Sequence, residues 1–436
     1  MKFNLGKAGD VKIIQVFKGT KNLEEANELY NYLKIKELFK GNLGEIYSNI
    51  SYDGEKFILL GLGEEDKLNA NDLKTAYFKV GKEIMKYKES SVNISVCEFK
   101  NIDYADTISS IVEGLLQSEY SFEKYLSEKK TKPSLENVYL NVDGKENLAK
   151  TTIEETINLV DGVFLARDLV NEPAMYMTPQ VLADAAKSEL EPLGVKLDIY
   201  NKEEIEKLNM KAFLAVAEGS TNEPKLIVMH YEGDPDSSEK LALVGKGLLY
   251  DSGGYSLKSA NSMITMHSDM AGSASVIGTI KALAKNKVKR NVVGIVAACE
   301  NMISGGAYKP GDILVSMSGK TIETLSTDAE GRLTLADALW YAATEIKADK
   351  IVDIATLTGA CVVALGNINT GAITNNEELM ADVKEAGKLA GEPIWELPNN
   401  KEYKELIKGK FADLSNTGGR GAGTITAGLF LEEFVD

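Results

Sequence analysis

The chemistry available to this sequence is concentrated in three short loops rich in glycine and charge. The first runs from Val244 through Gly245, Lys246, Gly247 and Asp251 to Gly253, Gly254 and Lys258. The second, Met266-His267-Ser268-Asp269, places an aspartate just before a helical pattern. The third, Ser326-Thr327-Asp328-Ala329-Glu330-Gly331-Arg332, carries two acids and an arginine at the start of an apolar helix. A glycine-and-lysine loop after a strand can bind phosphate, but the P-loop spacing, GxxxxGK followed by Ser or Thr, is absent. Asp269 alone reads as a helix cap, and acids in a first turn are favoured by the helix dipole. Together the loops say more. If they converge, Asp251, Asp269, Asp328 and Glu330 bring four negative charges into one cleft, and their repulsion must be neutralised. Two divalent cations would balance it, and a carboxylate-bridged metal pair can polarise a carbonyl and activate water. Lys246 joins such a ligand set if the cations strip its proton.

Positioning these loops calls for strands that end in them. Residues Lys12 to Lys18, Lys56 to Gly63, Asn93 to Glu98 and Val138 to Val142 read as strands. Asp72 to Lys88 and Asp106 to Leu116 between them read as helices. A charged stretch, Glu123 to Pro133, precedes the last of these strands, and Leu148 to Leu169 reads as a connecting helix. The domain boundary is therefore expected near residue 150, giving a small α/β domain over 1–150 and a catalytic domain over 151–436. In the second part, strand-like runs at Lys211 to Ala217, Lys225 to His230, Leu241 to Val244, Asn291 to Ala298 and Lys350 to Leu357 alternate with helical patterns. Those patterns are Pro179 to Leu190, Ala271 to Ala284, Leu333 to Glu345 and Glu377 to Leu389. This alternation predicts a mixed, mainly parallel sheet covered on both faces, with the chemistry in loops at the carboxyl ends of its strands.

Composition narrows the function. The 436 residues carry 65 acids against 49 Lys and Arg, a net charge of −16. That balance argues against a nucleic-acid binder, which needs a basic face. No apolar run approaches the roughly 18 residues of a membrane span, so a cytoplasmic protein is expected. Three separated cysteines exclude a disulfide scaffold. With only His230 and His267 there is no His triad and no usual His/Cys zinc site. His230, Cys299 and Cys361 read as structural, the two cysteines as buried.

The segments GKGLLYDSGGYSLK, SDMAGSA, ENMISGGAYKPGDILVSMSGKTIETL and above all STDAEGRLTLADAL resemble the signature of the leucyl aminopeptidase family, cytosolic dinuclear-metal aminopeptidases. The resemblance extends to ARDLVNEPA, ATLTGAC and GRGAGTITAGLFLEEFV, and to GLGEEDKL and EYSFEKY in the first domain. It implies a small macro-like α/β domain, with an oligomerising or regulatory role, beside a catalytic α/β domain in a homo-hexamer acting on peptides. It implies that Lys246, Asp251, Asp269 and Glu330 hold one manganese or zinc ion. Asp251, Asp328 and Glu330, with the Asp328 carbonyl, would hold a second, so that Asp251 and Glu330 bridge. By the same resemblance Lys258 stabilises the oxyanion and Arg332 holds a bicarbonate that acts as general base. Asp269 is also expected to bind the substrate amine, and Met266, Thr356 and Gly359 are expected to line the pocket for the first side chain. A methionine there suits leucine-like or methionine-like residues.

The sequence also departs from the family pattern. His267 stands where many members have lysine, Ser326 replaces an asparagine, and the chain stops before the family's final segment with its HLDIAG-like motif. An incomplete pocket is expected to weaken substrate binding more than metal binding. Two rival readings are a metal-binding scaffold that has lost turnover and a metal-dependent phosphoesterase, which can also use a bridged metal pair.

Overall fold

The computed structural model describes residues 1–50, 54–128 and 135–435; positions 129–133 of the charged stretch lie outside the described residues. The chain forms two compact units, Met1–Val160 and Asp161–Asp436. The division falls inside a long helix, α4 (Glu146–Asn171).

The first unit is one six-stranded sheet with helices α1 (Asn27–Ile35), α2 (Ala70–Tyr87) and α3 (Tyr104–Glu119). Its strands are β1 (Lys2–Leu5), β2 (Val11–Phe17), β3 (Ile46–Asn49), β4 (Lys56–Gly63), β5 (Ser91–Ser95) and β6 (Asn137–Asn141), in the order β1-β6-β5-β2-β4-β3. All pairings are parallel except β3 with β4. β4 is buried at every residue after Lys56, as expected of a strand covered on both faces. α2 starts at Asn69, whose side chain accepts from the Asn71 and Asp72 N–H groups.

The second unit is built on a five-stranded sheet. Its strands are β7 (Lys196–Tyr200), β8 (Lys225–Glu232), β9 (Lys240–Asp251), β10 (Asn291–Asn301) and, after two short strands, β11 (Ile313–Val315) and β12 (Thr321–Glu323), the edge strand β13 (Lys350–Ile354). The order is β13-β9-β10-β8-β7. Pairings β13·β9 and β9·β10 are parallel, and those flanking β8 are antiparallel, so β8 alone runs against the other four. The mixed, mainly parallel α/β sheet expected from the sequence is present. Small sheets complete the unit: β14 (Thr370–Ala372) with β15 (Ile394–Glu396), and β16 (Leu414–Ser415) beside β12.

Alternation along the strands feeds two cores. Val293, Ile295, Ala297 and Cys299 of β10 face α7 (Lys211–Ala217), α10 (Gly331–Thr344) and α13 (Gly423–Glu432). Val292, Val296 and Ala298 face α5 (Pro179–Leu190) and α9 (Ala271–Asn286). The remaining helices are short or peripheral: α6 (Lys202–Lys207), α8 (Ala260–Met263), α11 (Gly359–Leu365) and α12 (Glu377–Ala390). Among the described residues no helix is long and apolar enough to cross a membrane.

Two elements differ from the sequence reading. The strand read as Leu241 to Val244 continues as β9 through Asp251, so the glycine-and-lysine stretch read as a loop is mostly strand, its small glycines and apolar Leu248 and Leu249 packing inside the sheet. Lys211 to Ala217, expected as a strand, is the helix α7. Its apolar run is almost wholly buried, and periodicity cannot tell a short buried strand from a short buried helix. The helix has no local side-chain cap; instead the Phe213 N–H donates to Asp337 Oδ2 of α10 at 2.9 Å. That stabilising contact is 124 residues away and invisible to a local reading.

Candidate active site

The three segments converge, the first of them as strand and not loop: Lys246 and Asp251 lie on β9 itself, Asp269 just before α9, and Asp328 and Glu330 at the amino end of α10. Lys246 Nζ lies 2.8 Å from Asp269 Oδ2 and 3.0 Å from Glu330 Oε1, and donates to the Thr356 carbonyl at 3.2 Å. Lys258 Nζ bridges Asp251 Oδ2, at 2.6 Å, and Asp328 Oδ1. Oxygens of Asp251, Asp328 and Glu330 all lie within 4.8 Å of one another. Lys246, Asp251, Asp269 and Glu330 are buried, whereas Asp328 is exposed. Lys246, Asp251, Lys258, Asp269, Asp328 and Glu330 are thus in one neighbourhood, with Arg332 in the first turn of α10, two residues after Glu330.

Two glycines make the packing possible. A Cβ on Gly331 would lie 2.4 Å from Lys246 Cε, so only glycine lets the lysine lie across the start of α10. Gly253 has φ +84° and turns the chain back after Asp251, and a Cβ there would lie 2.6 Å from the Ser256 carbonyl.

The electrostatics ask for more positive charge than the side chains supply. Four carboxylates face two ammonium groups, which leaves the cleft negative. Burial works against the charge on Lys246, but Glu330, Asp269 and Asp251 outweigh it and hold the ammonium well above its ordinary range. Burial likewise opposes the charge on Lys258, and Asp251 and Asp328 outweigh it. Burial pushes the Asp269 carboxyl up, with Lys246 pulling it back and Glu330 and Asp251 adding to the rise. Glu330 Oε2 is buried without a hydrogen-bond partner. A buried carboxylate oxygen with no donor is costly unless a cation completes it. Oxygen donors plus one amine fit manganese or zinc. The fit of the residues to a metal pair therefore rests on the orphaned Glu330 oxygen and the clustered carboxylates.

Arg332 presents a matching deficit of acceptors. It is only 6% exposed, and its Nε and Nη1 groups have no partner. Burial pulls it down to about 10, with Glu330 opposing. Its guanidinium carbon stands 5.9 Å from the centre of the Phe430 ring. An unsatisfied buried guanidinium beside a helix amino terminus is suited to a small anion.

Sequence reasoning passed over the residues that brace these groups. Asn301 at the end of β10 is fully buried and donates through Nδ2 to Asp251 Oδ1 at 2.8 Å and to the Thr327 carbonyl at 2.9 Å. Tyr308 Oη donates to that same carbonyl at 3.0 Å. Thr327 Oγ1 donates to the Gly253 carbonyl and accepts from the Ser256 N–H. Buried Asn416 accepts from the Leu325 N–H and donates to the Ser326 carbonyl. The signal for Asn301 was its place: a polar pair, Glu300-Asn301, closing an apolar core strand.

The expected pocket residues are more dispersed in role. Met266 opens a short 3₁₀ turn and is half-buried. Gly359 begins α11, where an added Cβ would meet nothing within 4 Å. Thr356 Oγ1 donates to Asp269 Oδ1 at 2.7 Å, tying it to the lysine–carboxylate cluster. His267 is half-buried in the same turn as Met266. His230 lies on β8 with Nε2 2.9 Å from Asp198 Oδ2, a structural pairing. Cys299 is buried as expected, but Cys361 is only partly covered, because α11 buries no residue fully.

Comparison with known proteins gives a consistent picture. The sequence model described as "Cytosol aminopeptidase family, catalytic domain" matches residues 164–436, and that for the family's N-terminal domain matches 13–129. A probable cytosol aminopeptidase of Clostridium tetani is 66% identical over the whole of this chain and 91% of its own length. One of Treponema denticola is 47% identical over the whole of this chain and 90% of its own. Among solved structures, the bottromycin maturation enzyme BotP in complex with Mn is 28% identical, with a TM-score of 0.89 over 98% of this chain and 90% of that one.

Proposed function

The chain belongs to the cytosol aminopeptidase family, and we propose that it is a cytoplasmic metallo-aminopeptidase that removes the amino-terminal residue from peptides. Lys246, Asp251, Asp269, Asp328 and Glu330 would hold two divalent cations, manganese or zinc, with Asp251 and Glu330 shared. The observation that carries this reading is the cluster of Asp251, Asp328 and Glu330 oxygens with one buried Glu330 oxygen left without a donor. When bound, the metal pair supplies polarisation of the scissile carbonyl and a water of lowered pKa.

The protein's own groups do the rest. Asp269 accepts from the substrate's free α-amino group, which fixes the cleavage point one residue from the end. Lys258, held charged between Asp251 and Asp328, is free to donate to the oxyanion that develops as the carbonyl is attacked, an interaction worth a few kcal/mol in a water-poor site. Arg332 holds a bicarbonate, which when bound serves as the base that no histidine here provides. Met266, Thr356 and Gly359 bound the space for the first side chain, favouring leucine-like or methionine-like residues. The first unit serves assembly or regulation, and the resemblance carries with it a homo-hexamer, which sedimentation would test.

The direct test compares a leucyl amide with its N-acetylated form. Hydrolysis of the free amine and not of the blocked one supports an aminopeptidase. Equal hydrolysis of both, or hydrolysis of phosphate esters alone, rejects it.

A further inference from the structure

Asn301 ties the segment carrying Asp251 to the one carrying Thr327 and Asp328. Strands β9 and β10 pair in parallel with a constant offset up to Cys299↔Leu248; then the register shifts, so that Glu300 faces Tyr250 and Asn301 faces Asp251. The shift inserts Leu249 as an extra residue on β9. Bulges of this kind re-aim side chains beside active sites. Here the bulge sets an amide directly across from a carboxylate at the strand ends.

The amide then spends both of its protons. One goes to Asp251 Oδ1, which also accepts from the Gly253 N–H at 2.8 Å, and the other goes to the Thr327 carbonyl. Asp251 Oδ1 is thereby filled by two donors, and Oδ2 is the oxygen left to face Lys258 and the cluster. The Thr327 carbonyl, gripped by Asn301 and Tyr308, fixes the peptide that leads into Asp328. The Asn301 main chain takes part as well, since its carbonyl accepts from the Ser252 N–H at 3.1 Å and Ser252 Oγ at 2.7 Å. Its Oδ1 is buried without a partner, beside Gly254, where a Cβ would sit 3.0 Å from it. A side chain that leaves its acceptor unsatisfied in order to place two donors is held for what the donors do.

We propose that Asn301, with Tyr308, is a positioning residue: it dictates which oxygen of Asp251 faces the cations and holds the Asp251 and Asp328 segments at a fixed separation. This rests on the metal-centre reading above. Groups that orient metal ligands in this way typically govern affinity or activity by about 10- to 100-fold.

The test is titration of the metal-free protein with Mn²⁺, read from the EPR signal of free ion, for wild type, Asn301→Ala, Asn301→Asp and Tyr308→Phe. Asn301→Ala should bind Mn²⁺ about 10- to 100-fold more weakly. With metal saturating, its kcat should fall while KM for a leucyl amide changes little. Asn301→Asp keeps the shape but offers acceptors in place of donors, and should be no better than Ala. Tyr308→Phe, which removes only a hydroxyl, should show a smaller loss in the same direction. Asn301 variants that are folded and bind Mn²⁺ like wild type overturn the proposal. If the Asn301 variants do not fold, Tyr308→Phe decides: weakened Mn²⁺ binding supports the proposal and unchanged binding overturns it. Failure of the wild type to bind Mn²⁺ would reject the metal-centre reading and this inference with it, whereas binding that the variants share would reject this inference alone.

Discussion

Lys246 and Asp251 lie five residues apart on one strand and yet serve the same cleft. In a regular strand, residues an odd number apart project to opposite faces. Along β9, Ala242, Val244 and Leu248 point to the core beneath α10, and Leu249 to the opposite one. The bulge at Leu249 resets this alternation, so that Asp251 comes out on the side of Lys246, where Glu330 waits at the start of α10. An irregularity of one residue thus decides whether these groups can act together.

Gly331 should be intolerant of any side chain. Gly331→Ala pushes a methyl against Lys246 Cε and Nζ, and overpacking of this kind costs about 1–3 kcal/mol. The variant should melt lower than wild type and bind less Mn²⁺. Unchanged melting and unchanged metal content would mean that Lys246 need not lie where it does.

Lys258→Met should leave KM for a leucyl amide within a small factor and lower kcat by about 10² to 10³, the usual cost of one lost oxyanion donor. Stopped-flow or steady-state rates at saturating metal decide it. A loss confined to KM would place Lys258 in ground-state binding.

Thr356 separates two roles. Its hydroxyl donates to the buried Asp269 carboxylate, so Thr356→Val leaves that acceptor short of a partner at a cost of about 1–3 kcal/mol. All aminoacyl substrates should then lose rate by similar factors, and Thr356→Ser should restore it. A shift in preference among Leu, Met and Ala substrates without a general loss would make Thr356 a pocket wall only.

Much of this site was legible because its charged residues lie in contiguous motifs: the stretch Thr327 to Leu333 supplies two acids, the glycine and the arginine. The sheet was legible because its strands are long apolar runs between helical patterns. What was not legible depends on distance along the chain. α7 is a helix because Asp337 caps it from α10, and nothing within Lys211 to Ala217 says so. Asn301, Tyr308 and Asn416 act through hydrogen bonds to backbone groups 26, 19 and 90 residues away. No local pattern marks the bulge that brings Asn301 opposite Asp251.

Asp337 also carries a pH signature. Burial pushes its carboxyl up to about 7, against backbone N–H donors from Met317, Phe213 and Ala212. A carboxyl whose folded value is raised stabilises the fold at low pH; that contribution fades as pH rises from about 4 through about 7. The melting-temperature gap between wild type and Asp337→Ala should therefore be wider at pH 5 than at pH 8. A gap that widens toward pH 8 would show the carboxylate to be held ionised by its three donors.

The most direct measurement is hydrolysis of a leucyl chromogenic amide by metal-stripped protein, with manganese, zinc, cobalt or magnesium added back, beside Glu330→Ala. Glu330 contacts Lys246 and shares the cluster with Asp251 and Asp328, so its loss should abolish the restored activity. Expected is no turnover without metal, recovery with manganese or zinc, and none in the variant. Hydrolysis that persists in the stripped protein, or that Glu330→Ala retains at the wild-type rate, would contradict a metal-dependent aminopeptidase built on these residues.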